Sequence, residues 1–507
     1  MRAETDSNAV HSSPLRVRLV AWTHDPLSLA IASARSCYST KIVFPEDVTE
    51  DQKRRLSREL LASGHLTPFQ HPTFVFALQN VSRHLVWSLL HSHPFYNSEQ
   101  SSQRYNILRT PDVYIPPFRT EKSRKRFVDA VDASWRAYGD IMKLLYPSTL
   151  ERASSIGKIK RLEQKPIQRE AERKGAETAR YVLPVAALTQ LYHTVNGITL
   201  SRYVRWADRC DTPFEARLLV QAMRLAIEEF DPEFADVIFQ REKSASRPGS
   251  RNMRDSDGDK FARQFDAKLD GKASKLTAYT PKDESEVEEW FREINGIPIS
   301  KEEDMDGHLE RVMGYEYPSF RSLLHVNYTF RKCISHSADS QEQRHREIDA
   351  SRPLLYRTHT SKPDAVVPFD ISSTPEARKA FDEIMKTLWE TKETLIDAGE
   401  DPRDACYILP NATKVRYTES GNYLAMRTKW RLRTCFLAQR EIYDASMQEL
   451  EQVRKVHPRL AGHAAPNCVL NFRNGISGDR IEGPCPEGPR WCGVKVWLKF
   501  PKVKRIF

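Results

Sequence analysis

Residues Ser335–Arg346 read Ser-His-Ser-Ala-Asp-Ser-Gln-Glu-Gln-Arg-His-Arg, placing two guanidinium groups and an imidazole on the consecutive residues Arg344, His345 and Arg346. Arginine offers a planar fork of donors and keeps its charge at any ordinary pH. The run therefore suits phosphate or another electron-rich group. Gln341, three residues before Arg344, is expected to share its face on a helix. A basic run can equally be a solvated face, so its meaning depends on the rest of the chain.

The 507 residues call for more than one domain. A hydrophobic fraction of 40% and an aromatic fraction of 10% suffice for real cores and exclude a disordered chain. The net charge of +10 favours anionic partners, but the basic residues are dispersed and do not choose among them. Met1–Pro14 is polar, without the apolar core of a signal peptide, and no apolar run reaches the length of a membrane span. The 8 cysteines are ordinary usage for this length and are expected to be reduced, in a cytoplasmic protein.

The elements that would position the basic run follow from periodicity. Arg16–Trp22 reads as a strand. Asp25–Cys37 and Glu50–Ser63 read as helices, His65–Phe76 as leading into an alternating strand that continues to about Asn80, and Ser82–His91 as a helix. Ser92–Tyr105 reads as a polar loop, Lys122–Tyr146 as a long helix and the charged Leu150–Lys174 as an insertion. Ala179–Ala207 is expected to be one helix, followed by another from Pro213 to Phe230. Ser244–Lys275 is polar and weakly periodic, as a linker would be.

After that stretch the pattern restarts. Leu276-Thr-Ala-Tyr-Thr-Pro echoes Leu19-Val-Ala-Trp-Thr-His, and Tyr407-Ile-Leu-Pro410 echoes Tyr181-Val-Leu-Pro184. Pro184 to Asn196 and Pro410 to Asn422 are both 12 residues; Asn196 to Glu215 and Asn422 to Glu441 are both 19. Matched residues at matched spacings identify a tandem duplication. The expected organisation is an N-terminal copy over 15–243, a linker over 244–275, a C-terminal copy over 276–457 and a tail over 458–507.

Taken together, these stretches resemble the flavin-dependent thymidylate synthases. That family carries a Ser-Arg helix ending in Arg-His-Arg, a loop ending Ser-x-Arg-Tyr, an Arg-Tyr-x-Leu-Pro segment, an Asn-x-Arg helix and an Ala-Gln-x-Glu-Ile turn. The N-terminal half matches at His65–Phe76, Ser82-Arg83, Gln100–Tyr105, Ala179–Pro184 and Asn196; the C-terminal half at Gln341–Arg346, Ile408–Pro410, Asn422 and Arg433–Ile442. The implied fold is α+β, two tandem copies of a sheet flanked by helices, with a short cysteine-containing tail.

The departures are complementary. The N-terminal half has His91-Ser92-His93 in place of Arg-His-Arg, Ser88 in place of Gln341 and Ala207 in place of Arg433. The C-terminal half has Leu354–Arg357 where the Ser-x-Arg-Tyr loop belongs, and Cys406 in place of Arg180. Family members are homotetramers with sites between subunits. The resemblance thus implies a homodimer acting as a pseudo-tetramer, with one composite site drawn from both halves and a second, dead one.

For the live site it implies dUMP held by Gln341, Arg344, Glu99, Gln100, Ser101, Ser102, Arg104, Arg180 and Arg433. Arg104 and Arg180 suit the phosphate, Ser101 or Ser102 adds a hydroxyl, and Arg433 with Arg344 stabilises charge on the pyrimidine ring. His345 and Arg346 would face FAD, with His71, Asn196 and Asn422 as further contacts. NADPH and methylenetetrahydrofolate would be co-substrates, and neither membrane nor nucleic acid is an expected partner. The family's Asn-x-Arg is Asn196-Gly-Ile198 and Asn422-Tyr-Leu424, and Gln70 replaces its Glu before His71. Two other readings stay open: the same fold acting on another pyrimidine nucleotide, and a non-catalytic nucleotide or RNA binder. In the tail, His463, Cys468, Cys485 and Cys492 have the right donors for zinc but long spacings and no C-x-x-C pair. No metal is expected.

Overall fold

Strand β2 (Thr73–Ser82) alternates Phe74, Phe76 and Leu78 into the core with exposed or half-exposed neighbours, the period of a sheet covered on one face. It pairs antiparallel with β1 (Arg16–Trp22) and β4 (Leu188–Asn196); β3 (Tyr96–Gln100) lies on the far side of β4, giving the order β1-β2-β4-β3. The second copy repeats this with β5 (Ser274–Thr280), β6 (Asn327–Ser335), β7 (Asp349–Ser351) and β8 (Lys414–Asn422), in the order β5-β6-β8-β7. Even the register repeats: Thr73 faces Asn196, and Asn327 faces Asn422. In this computed structural model the described residues are 10–92, 95–209, 211–239, 257–296, 309, 318–478, 481–503 and 505–506.

Each central strand ends in a capped helix. The Ser82 hydroxyl accepts from Leu85 N at 2.8 Å to start Arg83–Leu90, and that of Ser335 accepts from Ala338 N at 3.0 Å to start His336–Glu342. Asn196 and Asn422 likewise cap Gly197–Ala207 and Tyr423–Arg433.

The chain forms two units that do not coincide with its two halves. Unit 1 is Met1–Arg136, Leu183–Ser256 and Lys386–Pro410; unit 2 is Ala137–Val182, Asp257–Met385 and Asn411–Phe507. Each sheet is thus grouped with a segment from the opposite half. Unit 1 takes the Cys406–Ile408 turn, and unit 2 takes the Arg180–Val182 turn.

Several elements differ from the sequence expectation. Ala179–Ala207 is not one helix: Gln164–Ala179 stops before Pro184, and Leu188–Asn196 extends as β4, its Thr and Val residues fitting a pleated surface. The loop after His91 contains β3, and His93 lies outside the described residues. The helix beginning at Glu121 runs through Pro147 to Lys160; the Thr149 hydroxyl donates to Leu145 O at 3.1 Å on the adjoining turn. Of the stretch read as linker, 244–256 lies outside the described residues, while 257–275 holds the Gly258–Ala267 helix and the start of β5. In the tail, Cys468, Val469, Leu470 and Val496 pack with Phe436 and Tyr443 of unit 2. Among the described residues no group of three His, Cys, Asp or Glu could hold a metal ion.

Candidate functional site

The Arg-His-Arg run does not lie on a helix. His336–Glu342 ends first, and Arg344 and His345 close tight turns through Arg344 N to Gln341 O at 3.3 Å and His345 N to Glu342 O at 2.9 Å. Gln341 therefore approaches Arg344 across a turn rather than along a helix face. Arg344 and Arg346 are exposed. His345 is half-buried with its Nε2 shielded from solvent and making no hydrogen bond among the described residues, and desolvation followed by the charge of Arg433 pushes its pKa down to about 3. It is neutral at physiological pH.

Arg433 is the last residue of Tyr423–Arg433, where the helix dipole favours a cation. Its Nη2 donates to the backbone oxygen of Gln341 at 2.7 Å, tying the end of one helix to the end of the other. The Gln439 side chain then acts as a hub. Its Oε1 accepts from Arg180 Nη2 at 2.7 Å and, in a very short contact, from Gln341 Nε2; its Nε2 donates to the Tyr181 hydroxyl. Tyr181 donates to Glu441 Oε2 at 2.5 Å, and Glu441 also accepts from Ser335 N at 2.6 Å and the Ser335 hydroxyl at 2.7 Å. Arg180 and Tyr181 come from the N-terminal half; every partner named comes from the C-terminal half, and all belong to unit 2.

Unit 1 has the same frame and none of the hub. Tyr407 donates to Glu215 Oε2 at 2.9 Å, and Glu215 accepts from Ser82 N at 2.8 Å and the Ser82 hydroxyl at 2.5 Å. By equal offset from Ser82, Asn196, Glu215 and Tyr407, however, Ser88 stands for Gln341, Ala207 for Arg433, Pro213 for Gln439 and Cys406 for Arg180. The buried Cys406 thiol is pushed up to about 12 by desolvation, which makes it inert at neutral pH.

The remaining expected site residues lie in unit 1, except Asn422 of unit 2. Glu99 is exposed on β3 opposite Tyr192, and Gln100 ends that strand opposite Leu191. Arg83 Nη2 donates to Ser101 O at 3.0 Å, Asn106 Nδ2 donates to the Ser101 hydroxyl at 3.1 Å, and the Ser102 hydroxyl accepts from Arg104 N at 3.2 Å. His71 is exposed at the entry to β2. Asn196 Oδ1 accepts from Thr199 N at 2.9 Å and Asn422 Oδ1 from Ala425 N at 3.0 Å, leaving each side-chain NH2 as the group able to reach a ligand. Ile198 and Leu424, at the position of the family's arginine, are core residues exposed by only 3% and 6%.

Two four-stranded sheets repeat one topology, and one of them carries a cationic loop and an Arg–Gln–Tyr–Glu hydrogen-bond chain; together they define a duplicated α+β protein. The family model described as "Thymidylate synthase complementing protein" matches residues 18–233 and again 275–459. The chain belongs to the flavin-dependent thymidylate synthase family, a methyltransferase class, in a double-length form. A flavin-dependent thymidylate synthase of Clostridium tetani is 32% identical over 224 residues, 43% of this chain and 84% of that protein. One from Geobacter sulfurreducens is 31% identical over 208 residues, 40% of this chain and 81% of that protein. The crystal structure of PolB, a UMP/dUMP methylase from Streptomyces cacaoi bound with 5-Br dUMP, covers 45% of this chain and 96% of its own at 18% identity, with a TM-score of 0.34. A score that low carries no weight. Among the described residues no helix is long and apolar enough to cross a membrane.

Sequence reasoning quoted Gln439 within a motif but gave it no role. It also passed over Glu441, Tyr181 and the charged side chains beneath the loop. One signal was present: in the alternating run Tyr328, Phe330, Lys332, Ile334, a lysine occupies a position on the buried face.

Proposed function

We propose that this chain converts dUMP to dTMP with methylenetetrahydrofolate, NADPH and a bound FAD, in a composite site to which both halves contribute. The observation that supports this most strongly is the meeting of Arg180 with Gln341, Gln439 and Arg433 in the unit that also carries Arg344–Arg346. Overall, the C5 hydrogen of uracil leaves as a proton, and the methylene carbon together with a hydride takes its place, releasing tetrahydrofolate. The flavin, when bound, supplies that hydride and regains it from NADPH.

Arg433 and Arg344 hold the uracil edge and stabilise negative charge as C5 becomes nucleophilic. Arg180 of unit 2 is assigned to the phosphate; Arg104, Ser101 or Ser102, Glu99 and Gln100, all of unit 1, are the further nucleotide-binding candidates that the resemblance implies. Gln341 and Gln439 fix the two arginines. The orphaned Nε2 of His345 and the exposed Arg344 and Arg346 suit an electron-rich ring or phosphate, and in that respect the loop fits the flavin. Ile198 and Leu424 do not, so the diphosphate must be held by other groups. His71 and the amides of Asn196 and Asn422 are the candidates. We place the protein in the cytoplasm, as a homodimer that imitates the family's tetramer.

The test is dTMP formation by wild type, Arg180→Ala, Arg433→Ala and a mixture of the two variants. Active wild type, two inactive variants and no recovery on mixing support a site whose arginines lie in one chain. Turnover surviving either substitution removes the composite site. The missing arginine of Asn-x-Arg in both halves allows one alternative, another pyrimidine nucleotide as substrate; a flavin-loaded chain that methylates such a nucleotide and not dUMP would establish it. A chain that binds nucleotide but no flavin would be a binder only.

A further inference from the structure

Beneath the Gln343–Arg346 turns, unit 2 buries five charged side chains. Lys332, Glu342, Glu419, Lys429 and Glu449 are exposed by 0, 3, 2, 0 and 0%. Lys332 Nζ lies 2.8 Å from Glu449, 3.2 Å from Glu419 and 3.5 Å from Glu342. Lys429 Nζ lies 3.0 Å from Glu449 and 3.3 Å from Glu342 and makes a shorter contact with Glu419. Trp430 Nε1 and the Ser274 hydroxyl donate to Glu449 at 2.8 and 3.0 Å. Three carboxylates against two ammoniums leave one negative charge over. Glu342, the member of the network next to Gln341 in the chain, faces both lysines, but neither of its carboxylate oxygens accepts a hydrogen bond among the described residues. Burial would raise its pKa, but Lys332, Lys429 and then Arg433 hold it well below the usual carboxylate range, so it is ionised and in electrostatic contact with Arg433 and His345.

The other copy shows that the fold does not require this network. The shared strand register makes Leu78 the counterpart of Lys332 and His193 that of Glu419. Equal offsets from Ser82, Asn196 and Glu215 make Leu89, Tyr203 and Met223 the counterparts of Glu342, Lys429 and Glu449. These five are buried as well, with a single hydrogen bond of 2.9 Å between His193 Nε2 and the Tyr203 hydroxyl. The same sheet therefore closes over an uncharged core. Burying ions is costly, and replacing them with apolar groups is often neutral or stabilising. In this chain the network and Arg433 occur in one unit, and both are absent from the other.

We infer that the Lys332–Glu342–Glu419–Lys429–Glu449 network is a positioning device: its negative charge at Glu342 holds the Arg433 guanidinium and the Gln343–Arg346 turns in the geometry the pyrimidine requires. The inference rests on the proposed reaction. Arg433 Nη2 donates to Gln341 O, on the residue before Glu342, and the ionised carboxylate adds an attraction along that direction. A mispositioned charge-stabilising group loses rate far more than it loses binding.

Two variants test it, alongside wild-type dTMP turnover, which tests the reaction separately. The first transplants the uncharged core: Lys332→Leu, Glu342→Leu, Glu419→His, Lys429→Tyr and Glu449→Met together. The expected outcome is a folded chain with an undiminished Tm and about 100-fold slower turnover. A folded chain with wild-type turnover would overturn the inference. The second, Glu342→Gln, keeps shape and serves if the first does not fold. It should lower kcat by about tenfold or more while leaving dUMP affinity, measured by calorimetry, within about threefold. In the Arg433→Ala background it should cost nothing further, because the carboxylate acts through that arginine. Equal losses with and without Arg433 would mean a structural role only. If wild type binds dUMP but forms no dTMP, the reaction reading fails. The positioning role claimed for that reaction then fails with it, whereas a turning-over wild type with an unimpaired Glu342→Gln variant fails on positioning alone.

Discussion

Ser82, Glu215 and Tyr407 in unit 1, and Ser335, Glu441 and Tyr181 in unit 2, build the same buried triad with the halves of the chain reversed. In both, a serine that caps a helix and a tyrosine from the opposite half converge on one glutamate. Around this shared frame the units diverge. Unit 2 adds Arg180, Gln439, Gln341 and Arg433; unit 1 has Cys406, Pro213, Ser88 and Ala207. What both units retain is what folding needs, since each half must hold the other's Tyr-x-Leu-Pro segment. What only one retains is what the proposed chemistry calls for. A duplicated chain that reads both cores at once separates the two demands.

The comparison breaks first at the arginines. Converting unit 2 toward unit 1 by Arg433→Ala should lower dTMP turnover about 10²- to 10³-fold, with Arg180→Cys in the same range. The matched changes in unit 1, Ala207→Ser and Cys406→Ala, should leave turnover within about twofold of wild type. Steady-state kinetics on purified, folded variants decide it; comparable losses from both units would mean that both sites work.

Much of this asymmetry was legible from spacing alone. The offsets from Pro184 and Pro410 to matched asparagines and glutamates disclosed the duplication, and substitutions at matched positions disclosed which half kept which group. The strands β1 and β2 and the helix Glu50–Ser63 followed from periodicity because each has one wet face. β4 did not: its neighbours on both sides are helical and its alternation is short, so propensity continued the helix until pairing with β2 overrode it. The exchange of segments between halves was illegible for a different reason. Nothing in the local pattern of Tyr181-Val-Leu-Pro184 says which copy of the glutamate it will meet. The buried lysines were discounted because a charged residue in an apolar strand reads as an exposed one until its partners are known.

The triads also predict a pH dependence. Burial pushes the Glu215 carboxyl up to about 7 from 4.5, against the opposing hydrogen bonds from Ser82 and Tyr407. Burial raises Glu441 too, but Arg180 works against it there, and unit 1 has no such cation at Cys406. A carboxyl with a raised native pKa binds a proton that the unfolded chain has released. Its stabilising contribution is therefore full below about pH 4.5 and is lost as pH rises through 7. The loss amounts to about 3 kcal/mol at most. Denaturant titrations at pH 5 and pH 8 should show Glu215→Gln flattening this dependence more than Glu441→Gln. An equal effect would mean that Arg180 does not reach Glu441.

Removing the tyrosine hydroxyls should cost less and distinguish frame from chemistry. Tyr407→Phe and Tyr181→Phe each take one donor from a buried carboxylate, at about 1–3 kcal/mol in stability. The two losses should match, because the frames match. Turnover should fall with Tyr181→Phe alone, since only that hydroxyl also meets Gln439 and through it Arg180.

The smallest effect concerns the two capping asparagines. Asn196→Ala and Asn422→Ala should each lower stability by about 1 kcal/mol, because each removes the acceptor that starts a helix. Aspartate at either position keeps that acceptor and deletes the NH2 group, so Asn196→Asp and Asn422→Asp should restore stability. Flavin affinity, read from fluorescence on titration with FAD, then isolates the amide. The asymmetry of the rest of the chain predicts that Asn422→Asp weakens flavin binding and Asn196→Asp does not, because Asn422 starts the helix that ends in Arg433. Weakening by Asn196→Asp alone would mean that the flavin is held by the half that lost its chemistry. The halves would then have divided cofactor and substrate between them rather than live and dead sites.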